Sequence, residues 1–254
     1  EDVVRLKGKA DLVYFVGCVT SLSGRVMNIA GATSQILSNL GLDWTILGNG
    51  EWCCGYPLIL SGKREYVANL AEHNVEMIRR VGAKAVVTTC PGCYRTLSHY
   101  YPLLVGHLGF EVYHVSQLFQ KMLENVKAKF KSDVNMVVTY HDPCDLGRLS
   151  EVYNAPRIVL SSIPGIKLVE LPKNRALTYC CGGGGMLKAT NPDIALKLAV
   201  KKVEEAHTVN AEAIISACAS CKQNIQDGID ESGDTLQLLD LTEVVARAMG
   251  IELT

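Results

Sequence analysis

The sequence predicts an α/β protein built from two duplicated, pseudo-twofold-related halves, each a parallel sheet flanked by helices. Three observations lead there. Ten cysteines recur in the same order twice along 254 residues. β-rich segments alternate with segments of helical period in both halves, the pattern of parallel α/β layers. Most cysteine groups directly follow a predicted strand, at the edge where open α/β sheets bind ligands.

The cysteines stand at positions 18, 53, 54, 90 and 93, and again at 144, 180, 181, 218 and 221. Matching members are separated by 126, 127, 127, 128 and 128 residues. Their surroundings repeat as well. Trp52-Cys53-Cys54-Gly55 matches Tyr179-Cys180-Cys181-Gly182, and Cys90-Pro91-Gly92-Cys93 matches Cys218-Ala219-Ser220-Cys221. Such register over half a chain points to gene duplication. The expected division is a first repeat at 1–130 and a second at 131–254. It falls near the charged stretch Lys127-Ala128-Lys129-Phe130-Lys131-Ser132-Asp133.

Each half is expected to be Rossmann-like, with its cysteines at strand C-terminal ends. The first strands are read at 11–16 and 134–140, where β-branched and aromatic residues cluster. Helices follow at 24–40 and 154–162. Second strands are expected at 44–47 and 167–171. The Cys-Cys-Gly turns then lead into long amphipathic helices. Tyr66, Leu70, His73 and Met77 mark one, and Ile194, Leu198 and Val203 the other, which Pro192 suits as a start. The third strands, 85–89 and 213–217, run straight into Cys-x-x-Cys. A shorter helix, a strand near Val112 or Leu238 and a last helix close each repeat.

Bulk properties exclude several function classes. Lys+Arg totals 25 against 26 for Asp+Glu, a net charge of −1. Nucleic acid and anionic membrane surfaces favour a basic chain. No apolar run approaches the ~18 residues of a membrane span, and no signal peptide is visible. A cytoplasmic location is therefore expected, with any attachment to the inner membrane face made through a partner. The chain opens at Glu1-Asp2 rather than Met, which leaves room for a segment upstream. At 48% hydrophobic residues it can build ordinary cores, so a secreted disulfide framework is disfavoured.

Each repeat offers one lone thiol, one adjacent pair and one Cys-x-x-Cys. Structural zinc takes four ligands in a tetrahedron, which five thiols overfill. The Cys-x₂-Cys-x₂-Cys run of ordinary cubane sites is missing. Five soft sulfurs per site favour a polynuclear iron–sulfur centre, with zinc at one site the minor alternative.

At this point the chain resembles a known family. The spacing of Cys18, the pair before Gly55 and Cys90-Pro91-Gly92-Cys93, its second copy, and the words Thr139-Tyr140-His141-Asp142-Pro143-Cys144 and Cys93-Tyr94 are similar to the CCG cysteine-rich domain pair. That pair occurs in catalytic subunits of heterodisulfide reductase and related iron–sulfur oxidoreductases. The resemblance runs from about Asp11 to the C-terminus. It implies two noncubane [4Fe-4S]-type clusters. Cys18, Cys53, Cys54, Cys90 and Cys93 would hold one, and Cys144, Cys180, Cys181, Cys218 and Cys221 the other.

It also implies reduction of a heterodisulfide, of the CoM-S-S-CoB type, to two thiols at paired clusters. Two electrons would come from a partner: a flavin/iron–sulfur protein, a ferredoxin-type domain or a membrane cytochrome. A hetero-oligomer is expected. Two other readings stay open. One is an electron-transfer iron–sulfur subunit of a 2-hydroxy-acid (glycolate/lactate-type) oxidoreductase. The other is a zinc-stabilised, non-enzymatic scaffold.

Beyond the cysteines the candidates are fewer. His141 is a candidate catalytic residue, as a proton source or a donor to cluster sulfur, against a structural hydrogen-bonding role. Arg148, Lys188, Lys222 and also Arg25 are candidate anion partners, against solvated surface charges. Gly183 and Gly184, within the run Gly182–Gly185, suit either an open substrate path or a tight turn packed on the cluster. Trp52 and Tyr179 read as apolar shielding, and His73 and Met77 as packing or surface residues.

Overall fold

The computed structural model describes residues 6–124 and 130–253. The expected repeat boundary lies partly on 125–129, outside the described residues. Two four-stranded sheets are present, both entirely parallel. The first comprises β1 (Leu12–Phe15), β2 (Trp44–Thr45), β3 (Ala85–Thr88) and β4 (Glu111–His114) in the order β2-β1-β3-β4. The second comprises β5 (Met136–His141), β6 (Ile166–Val169), β7 (Ala213–Ser216) and β8 (Gln237–Asp240) in the order β6-β5-β7-β8. The two orders are the same, and registers match: Phe15 lies opposite Thr88, and His141 opposite Ser216.

Burial on both faces explains the near-continuous apolar strands. Alternate residues of β1 feed different cores. Leu12 and Tyr14 join a central cluster, while Val13 and Phe15 join an outer one. The central cluster is shared by both halves, combining Ile36, Leu37 and Phe119 with Val159, Leu160 and Val245. Each half keeps one outer cluster of its own. The apolar residues thus build one common interior with two outer layers.

The shared interior is made by reciprocal helix contacts. Helix Met27–Asn39 of the first half packs on Leu241–Ala248 of the second, and Asn154–Ser161 packs on Val115–Glu124. In each pairing, the helix after the first strand of one half meets the last helix of the other. That reciprocity is a pseudo-twofold.

Some boundaries differ from expectation. The first helix of repeat one begins at Met27 rather than 24, after a separate turn of helix at Cys18–Leu22. The strand expected at 44–47 pairs only at Trp44–Thr45. The long helices are Val67–Val81 and Pro192–His207, the second opening on Pro192 behind an Asn191 side-chain cap. Their buried faces sit one position on from most of the expected residues, while Val203 is buried as expected. Ala71, Asn74, Val75 and Ile78 face inward in the first, and Ala195, Ala199, Lys202 and Val203 in the second. Tyr66 and Ile194 are exposed.

Two buried electrostatic devices anchor the second half. Arg157 forks onto both oxygens of Asp142, at 2.7 and 2.8 Å, and onto both of Glu170, at 2.6 and 2.8 Å. Asp142 also accepts from the Arg175 N–H at 2.7 Å. Replacing Arg157 by Met strands a buried carboxylate, so a loss of about 3–5 kcal/mol in denaturant unfolding is expected.

Asp240 ends β8 and caps the last helix through the Thr242 N–H at 2.9 Å. Its other oxygen is buried without a partner, and burial pushes its carboxyl up to about 7. A carboxyl raised on folding contributes stability at low pH that is lost as pH rises towards 7. Asp240→Asn keeps the cap acceptor and removes the titration. Urea midpoints between about pH 5.5 and 7.5 should fall less with pH in this variant than in the parent.

Candidate metal centre

The ten cysteines are all free, with no disulfide among them. They sit where the strand ends meet helix starts. Cys18 follows β1 and opens a short helix, Cys90 precedes Pro91–Arg95, and Cys218 caps Ala219–Ser232 through the Cys221 N–H at 3.4 Å. Free N–H groups at such ends favour negative charge. The Cys-Cys-Gly turns need glycine, since Gly55 and Gly182 lie at φ +89° and +85°. These turns aim N–H groups at sulfur. Gly55 donates to Cys53 Sγ at 3.4 Å, Gly182 to Cys180 at 3.3 Å and Gly183 to Cys181 at 3.4 Å.

The thiols of each set perturb one another in a matching pattern. Hydrogen bonding from Cys18, then Cys54, pulls Cys53 down to about 2. Hydrogen bonding from Cys144, then Cys181, does the same to Cys180. Their partners are pushed up: Cys18 and Cys54 chiefly by Cys53, and Cys144 and Cys181 chiefly by Cys180. Cys93 and Cys221 are also raised, first by Cys54 and Cys181. Cys54 and Cys93 sulfurs stand 3.4 Å apart. Crowded soft donors that compete for protons, with N–H groups aimed at them, fit a thiolate-bound polynuclear centre in each half.

Both sets open on one cavity of about 390 Å³. Cys18, Cys54, Cys90 and Cys93 line one side, and Cys144, Cys180, Cys181, Cys218 and Cys221 the other. Cys53 is exposed and is not among the lining residues. The remaining wall is largely apolar, with Val19, Leu60 and Met186, and carries Lys188 and Asp145. Asp145 accepts a 2.5 Å hydrogen bond from Tyr56 Oη, which joins the two halves across the cavity. Burial raises both groups. Sequence reading passes over this pair. Each member flanks a cysteine turn, but their meeting across 89 positions is a product of the fold.

The candidate residues separate clearly. Lys188 lines the cavity and pairs with Asp227. Arg148 is outside the lining and donates to the carbonyls of Ala176 and Thr178, at 3.1 and 2.5 Å. Lys222 is buried against Glu243 at 2.5 Å. Arg25 reaches Asp227 at 2.7 Å. His141 is buried, and one of its ring nitrogens lies with the Cys181 and Cys221 sulfurs, all within 4.8 Å of one another. Burial, then the charge of Lys202, holds its imidazole down, to about 3. Trp52 is 46% exposed and stacks on His73 at 3.6 Å. Lys173 and Lys201 face the Tyr179 ring at 4.4 and 4.5 Å.

The glycine run divides in two. A Cβ on Gly182 would come within 2.6 Å of the Ala195 carbonyl oxygen, and one on Gly183 would collide with that of Ser220. Gly184 has open space around it. Gly183, Gly184 and Gly185 all line the cavity.

Fold and site together define a duplicated α/β protein with two groups of five cysteines, nine of the ten lining a common cavity. The chain belongs to the CCG cysteine-rich domain family, whose profile matches residues 12–98 and 138–226. It is 41% identical over 252 residues to a subunit of the dihydromethanophenazine:CoB–CoM heterodisulfide reductase of Methanosarcina barkeri, covering 98% of this chain and 61% of that protein. It is 34% identical over 235 residues to a subunit of the fumarate reductase (CoM/CoB) of Methanothermobacter marburgensis, covering 90% and 45%. It thus spans about six tenths or less of the length of these relatives. Among solved structures, a hypothetical protein from Helicobacter pylori shares the fold, with TM-score 0.65 and 11% identity over 98% of this chain and 52% of that one. Among the described residues no helix is long and apolar enough to cross a membrane.

Gly183→Ala should disrupt the second centre, and Gly184→Ala should spare it. Iron per chain after anaerobic reconstitution is the readout. It should fall in the first variant and stay at the parent value in the second.

Proposed function

We propose that the chain is an iron–sulfur oxidoreductase subunit that reduces a small disulfide to two thiols between two noncubane [4Fe-4S]-type clusters. The observation that carries this reading is the single cavity lined by both cysteine sets. The cavity volume suits a small molecule, with mostly apolar walls and a few polar groups. The relatives' names, a heterodisulfide reductase subunit and a CoM/CoB fumarate reductase subunit, agree with thiol and disulfide chemistry.

Each half holds its centre through the five cysteines named above. When bound, such a centre supplies single electrons and Lewis-acidic iron. The overall reaction consumes one disulfide, two electrons and two protons and gives two thiols. The electrons come from a partner subunit carrying flavin, ferredoxin-type clusters or haem.

The chain's own residues bind and orient. Val19, Leu60 and Met186 accept the apolar part of the substrate. Lys188 receives an anionic substituent, exchanging Asp227 for it. Gly184 leaves room beside the second centre. Tyr56 and Asp145 hold a proton between Oη and Oδ1 at the wall, where a thiolate product needs one.

The test is a steady-state assay of the anaerobic, iron-loaded protein with an artificial reductant and a panel of disulfides. Two thiols released per disulfide are expected. Lys188→Gln should raise KM for anionic disulfides about tenfold with kcat little changed. Reduction of no disulfide by fully loaded protein would overturn the reading in favour of an electron-transfer subunit for a separate 2-hydroxy-acid oxidoreductase.

A further inference from the structure

The two centres match in their sulfurs but differ in the residues around them, and one difference lies directly against the sulfurs. Phe15 and His141 occupy equivalent places, each three residues before the lone cysteine of its half and each opposite a hydroxyl residue two before Cys-x-x-Cys. Phe15 packs in the buried cluster that contains Cys54 and Cys93. His141 meets the corresponding sulfurs, Cys181 and Cys221, within 4.8 Å. The first half therefore offers hydrocarbon where the second offers an imidazole.

That imidazole is 1% exposed, and neither ring nitrogen has a hydrogen-bond partner in the protein. Leaving both unpaired carries the desolvation cost of a buried polar group, and such a group calls for an explanation. A sixth iron ligand is not required, because the first half has the same five thiols and a phenylalanine. A donor to sulfur fits better, since imidazole carries an N–H in either protonation state. Hydrogen bonds to cluster sulfur are among the factors that set reduction potential, because they stabilise the added negative charge.

We propose that His141 donates an N–H to a sulfur of the second cluster, making it easier to reduce than the first although both have the same thiol set. This rests on the iron–sulfur reading of the two sites. His141 is then a positioning and tuning residue, and the Phe15/His141 difference sets which cluster an electron occupies.

The test is an EPR-monitored redox titration of the anaerobic holoprotein, with iron counted per chain. The parent should show two midpoints. His141→Phe, which copies the first site, should lower the upper midpoint with iron content unchanged. A tenfold change in the one-electron equilibrium corresponds to about 59 mV. His141→Gln, which keeps an N–H donor, should restore most of the shift. Phe15→His should raise the lower midpoint in turn.

Unchanged midpoints in fully loaded His141→Phe would overturn the proposal. Loss of the second cluster's iron in both His141 variants would also overturn it, by making His141 a ligand. So would a directly coordinated nitrogen in pulsed EPR of the parent. Failure of the parent itself to bind iron would instead sink the iron–sulfur reading, so the two failures are distinguishable.

Discussion

The reciprocal packing of four inner helices is the contact on which the rest depends. It turns the strand ends of two separate sheets towards one another and closes a cavity between them. A parallel sheet collects its ligand-binding loops at one edge. One such edge, standing alone, would present five thiols to solvent. Two edges held face to face share the space, so a molecule between them touches sulfur-rich walls on both sides. The half-buried Tyr56–Asp145 hydrogen bond fastens this join at the cavity wall.

Much of this was legible in the sequence because the cysteines report position so directly. Their register predicted the duplication, and the strands leading into them predicted parallel sheets, while the shared strand order is a finding of the structure. The helix faces were less legible. Ala71 and Asn74, and Ala195 and Lys202, occupy the buried faces, and an apolar stripe weighted towards large residues misses them. Larger neighbours such as Tyr66 and Ile194 attract the eye and lie outside. The strand at Trp44–Thr45 is too short to show a period of two.

The surroundings of the centres were harder to foresee, for a geometric reason. A residue one step from a ligand on a helix can point about 100° away from it. Lys222 follows Cys221 directly yet turns to Glu243, and Arg148 spends its donors on two carbonyls. Lys188 is seven positions from Cys181 and still reaches the cavity wall, because the glycine turn folds it back. Closeness along the chain ranks these cations poorly, whereas the fold separates them at once.

The pseudo-twofold carries a meaning beyond packing. Contacts of this kind are self-complementary, which is the geometry of a homodimer. A single ancestral half would have carried both surfaces needed to pair with its own copy, with two identical centres across the axis. In such a dimer every substitution appears twice. Fusing the copies into one chain removes that restriction, and each side of the cavity can then change alone. The residues that break the symmetry, Phe15 against His141 and the Gly55-Tyr56-Pro57-Leu58 turn against four glycines, are the record of that freedom.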